Sequence, residues 1–191
     1  MKLLELGKSK RARVCFDEVP ELVIHDYNTS EMHLQGNTEG LNEERFFVLE
    51  LLLPANASYY AVLGAKYIPI AVNRDLSIEI RYTEDSVVNY VNTLVRNKKT
   101  VFIGLPKEYV RTVLNTTMDY FQDNEIPSGK IVFELAAHCE IGSSPVMFKI
   151  VTNALLNILL NKDFPVSDID VKEICEKSIL SRVNPVPRFK E

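Results

Sequence analysis

From Val146 to Leu160 the chain is apolar almost without a break, relieved chiefly by Lys149, Asn153 and Asn157, and it is introduced by Ser143, Ser144 and Pro145. A serine there accepts a hydrogen bond from an exposed N–H of a first helical turn, and a proline fits that turn because its missing donor has no partner to lose. A helix apolar on most sides must be covered on most sides. The segment falls short of a bilayer span and carries polar interruptions, so a sheet is its expected partner and no membrane contact is implied.

The strands for such a sheet can be read upstream of it. Phe46 to Leu53 is a short apolar run stopped by Pro54, Tyr59 to Val72 continues in that style, and Leu76 to Tyr82 alternates like a strand with one wet face. The linking Asn73, Arg74 and Asp75 are few enough for a hairpin turn. Valines 87, 88, 91 and 95 with Leu94 fall at helical spacing and predict a helix over 83–95. A short strand follows at 100–103, and Pro106 opens a helix to about Gln122 that buries Tyr109, Val110, Val113, Leu114, Met118 and Phe121. Lys130 to Glu134 resumes as a strand, and Val171 to Leu180 is a last amphipathic helix before a proline-rich tail.

Three regions result: an N-terminal extension, 1–45, with strand-like stretches at 11–16 and 21–26 and a glycine-bearing loop at 35–40; an α+β domain, 46–165; and a C-terminal helix and tail, 166–191. Hydrophobic residues make up 46% of the 191 and charged residues 25%, ordinary for a globular protein able to fold without disulfide or metal. Cys15, Cys139 and Cys175 are too widely spaced for a zinc site or a disulfide framework, no secretory h-region is present, and a cytoplasmic location is expected.

Two motifs carry a family resemblance. Gly104-Leu105-Pro106-Lys107-Glu108-Tyr109-Val110 and, downstream, Glu140-Ile141-Gly142-Ser143-Ser144-Pro145-Val146-Met147-Phe148-Lys149-Ile150 are similar in kind, order and spacing to those of domain IV of translation elongation factor G. That family has a Pro-Lys-Glu-Tyr helix start and a Ser-Ser helix start. The resemblance covers roughly residues 100 to 160, about a third of the chain. It implies the ribosomal protein S5 domain 2-like fold, a sandwich with two helices on one face of a four-stranded sheet. It also implies that the loop before the second helix is a tip that meets the ribosome, with His138, Cys139, Glu140, Ser143 and Ser144 as its binding candidates. The family's tip histidine falls on Cys139, and its aspartate before the serines falls on Gly142.

The chain has no Gly-x-x-x-x-Gly-Lys-Ser/Thr, so nucleotide hydrolysis and translocation are not expected of it. A net charge of -4 leaves RNA contact to local clusters. Lys8, Lys10, Arg11 and Arg13 form one and Arg96, Lys98 and Lys99 another, each equally describable as a solvated basic turn. Within His138-Cys139-Glu140 a thiolate has a neighbouring base and carboxylate in sequence, but on a strand Cys139 points away from both. The tyrosines at 59, 60, 67 and 82 with Arg74 and Arg81 read either as a stacking surface or as core.

The expectation is therefore a non-catalytic binding module without metal or cofactor, partnered by ribosome, RNA or another protein. The alternatives are a homo-oligomeric interaction domain, or a small-molecule enzyme on the same fold.

Overall fold

The computed structural model describes residues 1–16, 22, 26–54, 59–70, 74–84, 88–95 and 100–181. The chain is α+β. Its strands are β1 (Lys2–Glu5), β2 (Arg11–Phe16), β3 (Asn28–Leu34), β4 (Arg45–Leu52), β5 (Tyr60–Ile68), β6 (Leu76–Tyr82), β7 (Val101–Ile103) and β8 (Gly129–Cys139). Its helices are α1 (Lys107–Asp123), α2 (Pro145–Leu159) and α3 (Asp168–Leu180).

All eight strands join one mixed sheet in the order β1-β2-β4-β5-β8-β6-β3, with β7 also on β8. The expected four-stranded sheet is thus corrected to eight. The strands the sequence reading did not include, β1 and β3, are edge strands, and β3 pairs with the sequence-distant β6. Only β6 and β8 are parallel, and α1 crosses between them. On its β6 side, β8 pairs through Gly129–Phe133 with β6 and through Ala137–Cys139 with β7; on its other side it pairs with β5 from Lys130 to Ala137. The hairpin anticipated between β5 and β6 is therefore not formed, because β8 lies between them.

Alternation along the strands sends Leu49, Leu51, Leu63, Ile78, Ile80, Ile131 and Phe133 to one face, all buried, and α1 and α2 cover that face. Tyr109 of α1 stacks on Phe148 of α2, ring centroids 4.6 Å apart. Ser144 caps α2 by accepting from Met147 N, and Pro145 occupies its first turn. At the far end of α2, Arg45 Nη1 donates to the Leu159 and Asn161 carbonyls at 3.2 and 2.5 Å, satisfying acceptors that the helix cannot. The apolar stripe of α1 runs through Thr116 and Thr117 rather than Met118, which is exposed; both threonine hydroxyls bond back to carbonyls four residues earlier.

The opposite face carries charge. Over β2, β4 and β5, Glu50 is fully buried and accepts from Arg13 Nε at 2.6 Å, Tyr60 Oη at 2.9 Å, Thr93 Oγ1 at 3.1 Å and Leu94 N at 2.7 Å. Arg13 in turn reaches Tyr90 Oη at 3.0 Å and both the side chain and carbonyl of Asn92. Residues 88–95 are consequently a strap and not the expected helix, none of the described residues in that stretch being helical. Tyr90 N donates to Val101 O, Val88 O accepts from Ile103 N, and Leu94 N donates to Glu50, so these backbone groups of the strap are engaged by β7 and the sheet. Val88 and Val91, read as a helical face, are exposed.

Candidate functional site

β8 ends at Cys139, and the chain must reverse within five residues to begin α2. Ser143 makes that reversal possible by bonding in two directions. Its hydroxyl accepts from Cys139 N at 2.9 Å and donates to Tyr60 O at 2.7 Å, while its own N–H donates to Cys139 O at 3.1 Å. From the other side Tyr59 closes the turn: its hydroxyl donates to Ile141 O at 2.6 Å, and the N–H groups of Tyr59 and Tyr60 both donate to Gly142 O, at 2.8 and 3.1 Å. Gly142 has φ +147, and a Cβ there would lie 2.3 Å from the Tyr59 ring. The turn is therefore a braced projection that presents Glu140 and Ile141 to solvent, Ile141 being 73% exposed.

The sequence-predicted tip residues have distinct placements. Ser144 is the helix cap, Ser143 the brace, and Glu140 the exposed charge. Cys139 is buried and its Sγ donates to Ile141 O at 3.4 Å, with Tyr59 Oη 3.8 Å away. His138, one residue earlier on the strand, faces the other side of the sheet: its Nδ1 is 3.2 Å from Gly104 O, an acceptor that holds the proton on Nδ1. The three adjacent residues thus do not converge into a base, a thiolate and a carboxylate.

Burial pushes the His138 pKa below its ordinary 6.5, against the smaller raising influences of the Gly104 carbonyl, Glu108 and Glu140. Above pH 6.5 both folded and unfolded chains hold a neutral imidazole. Below it the unfolded chain takes up the proton first, so stability falls with pH until the folded imidazole also protonates. Urea midpoints taken between about pH 7.5 and 5 should decline less steeply for His138→Gln than for the parent. An equal decline would show that His138 does not contribute.

Strand register gathers the remaining candidates at this same end of the sheet. Arg11 pairs with Leu52, Leu52 with Tyr60, and Cys139 with Val101, so the β1–β2 turn, the start of β5, the end of β8 and the approach to β7 share it. The β1–β2 turn is tight, with positive φ at Gly7, Lys8 and Ser9, and holds Lys8 exposed and Lys10 and Arg11 half-buried. None of these three has an ion-pair partner among the described residues. Arg13 is engaged by Glu50 at 2.5 Å and faces the strap. Arg96, Lys98 and Lys99 lie outside the described residues.

Tyr59, Tyr60 and Tyr67 are core residues. Tyr59 was legible in the sequence only as a strand tyrosine and Gly142 only as the glycine before two serines; that they brace the turn was not. Among the described residues no group of three or more His, Cys, Asp or Glu is placed to hold a metal ion, and no helix is long and apolar enough to cross a membrane. The chain matches no protein-family model, and no curated protein or solved structure is significantly similar to it.

Proposed function

We propose that the chain is a non-catalytic binding module of the elongation factor G domain IV kind, on a ribosomal protein S5 domain 2-like framework, and that it meets a phosphate-bearing partner, the ribosome, in the cytoplasm. The observation that carries this reading is the clustering at one sheet end. Lys8, Lys10 and Arg11 stand three strand spacings, about 14 Å, from the braced turn at 139–144. An acidic chain can bind a polyanion only through such a local surface.

The framework is supported by the chain order β4-β5-β6-β7-α1-β8-α2, in which α2 lies against β4 and β5 and α1 against β6. The braced turn stands where the resemblance puts the tip, at the entrance to the second of those helices. Its rigidity favours binding, since no loop has to be ordered on contact.

Co-sedimentation with ribosomes tests the proposal. Three phosphate contacts predict that affinity falls about 20- to 40-fold between 50 and 200 mM salt. Lys8→Glu with Lys10→Glu should abolish pelleting, while Glu140→Ala should leave or strengthen it. Failure to pellet at low salt removes the reading, and unchanged pelleting of the double variant removes this surface.

A further inference from the structure

The two edges of the sheet are finished differently. β1 is an edge of four residues, whereas β3 is an edge of seven, Asn28–Leu34, with no proline, no lysine and no bulge to blunt it. Antiparallel pairing with β6 uses the N–H and C=O groups of alternate residues, so about half of those on β3 point outward, away from the sheet. Beyond the ladder to β6, residues 28–34 have no hydrogen bond or ion pair among the described residues.

The side chains of β3 alternate between two settings. Ser30, Met32 and Leu34 stand opposite Ile80, Ile78 and Leu76 on the helix-covered face, and Met32 and Leu34 pack against the core while remaining half-buried. Thr29, Glu31 and His33 stand opposite Arg81, Glu79 and Ser77 on the other face and are exposed. Glu31 therefore lies directly across the ladder from a second carboxylate, an unfavourable pairing. Glu79 has cations of its own, Arg81 at 2.9 Å and Lys130 at 2.6 Å, and Glu31 has none among the described residues. A donor arriving from the open side of β3 would answer that charge.

We propose that β3 pairs antiparallel with β3 of a second copy of this chain, about a twofold axis at Met32, joining the two sheets into one. The sequence of the edge selects the register. A twofold that keeps each side chain on its own face must be centred on a residue. Centred on Glu31, two carboxylates meet. Centred on His33, only residues 32–34 of each strand overlap, and centred on Ser30, Met32 falls against the polar Asn28. Centred on Met32, residues 30–34 overlap, Met32 meets Met32, and Glu31 of each copy meets His33 of the other, twice over. An imidazole N–H donates to a carboxylate, and the half-buried Met32 and Leu34 gain cover along the rim of the core. The basic β1–β2 turn lies at the opposite end of the strand order, so dimerisation and ribosome binding are read separately.

Sedimentation equilibrium of the full-length chain from about 5 to 500 μM tests the proposal, with circular dichroism confirming that each variant is folded. The contact is small, so the expected result is a monomer–dimer equilibrium with Kd of about 10–100 μM. His33→Glu sets a carboxylate against Glu31 at both positions and should weaken the dimer about tenfold. Glu31→Lys together with His33→Glu in one chain recreates two opposite-charge pairs in this register and should restore the Kd to within about threefold of the parent. A chain that stays monomeric at the highest concentration overturns the proposal. So do a dimer indifferent to His33→Glu, a double variant as weak as His33→Glu alone, and growth beyond the dimer, which marks head-to-tail pairing of β3 with β1 of the next copy.

Discussion

Replacing Glu50 by alanine should lower the folding stability by about 3–5 kcal/mol, read as a fall in the urea midpoint. The carboxylate is fully buried and receives bonds from Arg13, Tyr60, Thr93 and Leu94. Removing it strands the Arg13 guanidinium, whose side chain is only 12% exposed, beside an apolar cavity, and it frees the strap at 90–95 from its anchor. Uncompensated charge is the dominant cost, because an unpaired buried ion loses its hydration with nothing in return. Glu50→Gln keeps the volume and should still be destabilising by about 2 kcal/mol. The double change Arg13→Met with Glu50→Leu separates the causes: it restores charge balance and should recover most of the loss. A Glu50→Ala loss below about 1 kcal/mol would mean that the network contributes little.

Gly142→Ala should cost about 3 kcal/mol. Two effects add. At φ +147 an alanine is strained, and its Cβ would stand 2.3–2.5 Å from two ring carbons of Tyr59 and 2.6 Å from its hydroxyl oxygen. That ring cannot swing aside without giving up the bond from its hydroxyl to Ile141 O. A double-mutant cycle makes the prediction specific: in a Tyr59→Ala background the collision is gone, and Gly142→Ala should then cost only its backbone strain, about 1–2 kcal/mol. Additive costs would place the strain elsewhere in the turn. Ribosome co-sedimentation of the single variant should weaken in parallel if the braced turn makes contact.

Sequence logic succeeded where structure is local. α2 was legible because its cap, its proline and its apolar run are contiguous, and α1 because its period survives even with Thr116 and Thr117 in place of Met118. It failed where pairing is distant. β3 reads Asn-Thr-Ser-Glu-Met-His-Leu, a polar string that is a strand only because β6 offers it an edge. The valines of 83–95 carry a helical spacing that the strap's bonds to β7 and Glu50 override. Of the site, only the serine cap of α2 was visible in the motif. Tyr59, 82 residues from its acceptor, was not, and Arg13 looked like a phosphate contact until Glu50 was found beside it. Glu50 did leave a trace, as the lone charge within Phe46–Leu53.

The position of β8 governs how this chain can be made. Among the described residues, the strand that fills the middle of the sheet is synthesised after the seven others. Until it emerges from the ribosome, β5 and β6 each present an open edge, and they are separated by only seven residues. Hairpin pairing takes microseconds, far less than translation needs to deliver residues 129–139, so these two neighbouring edges stay uncovered for long on the folding timescale while they wait for their native partner.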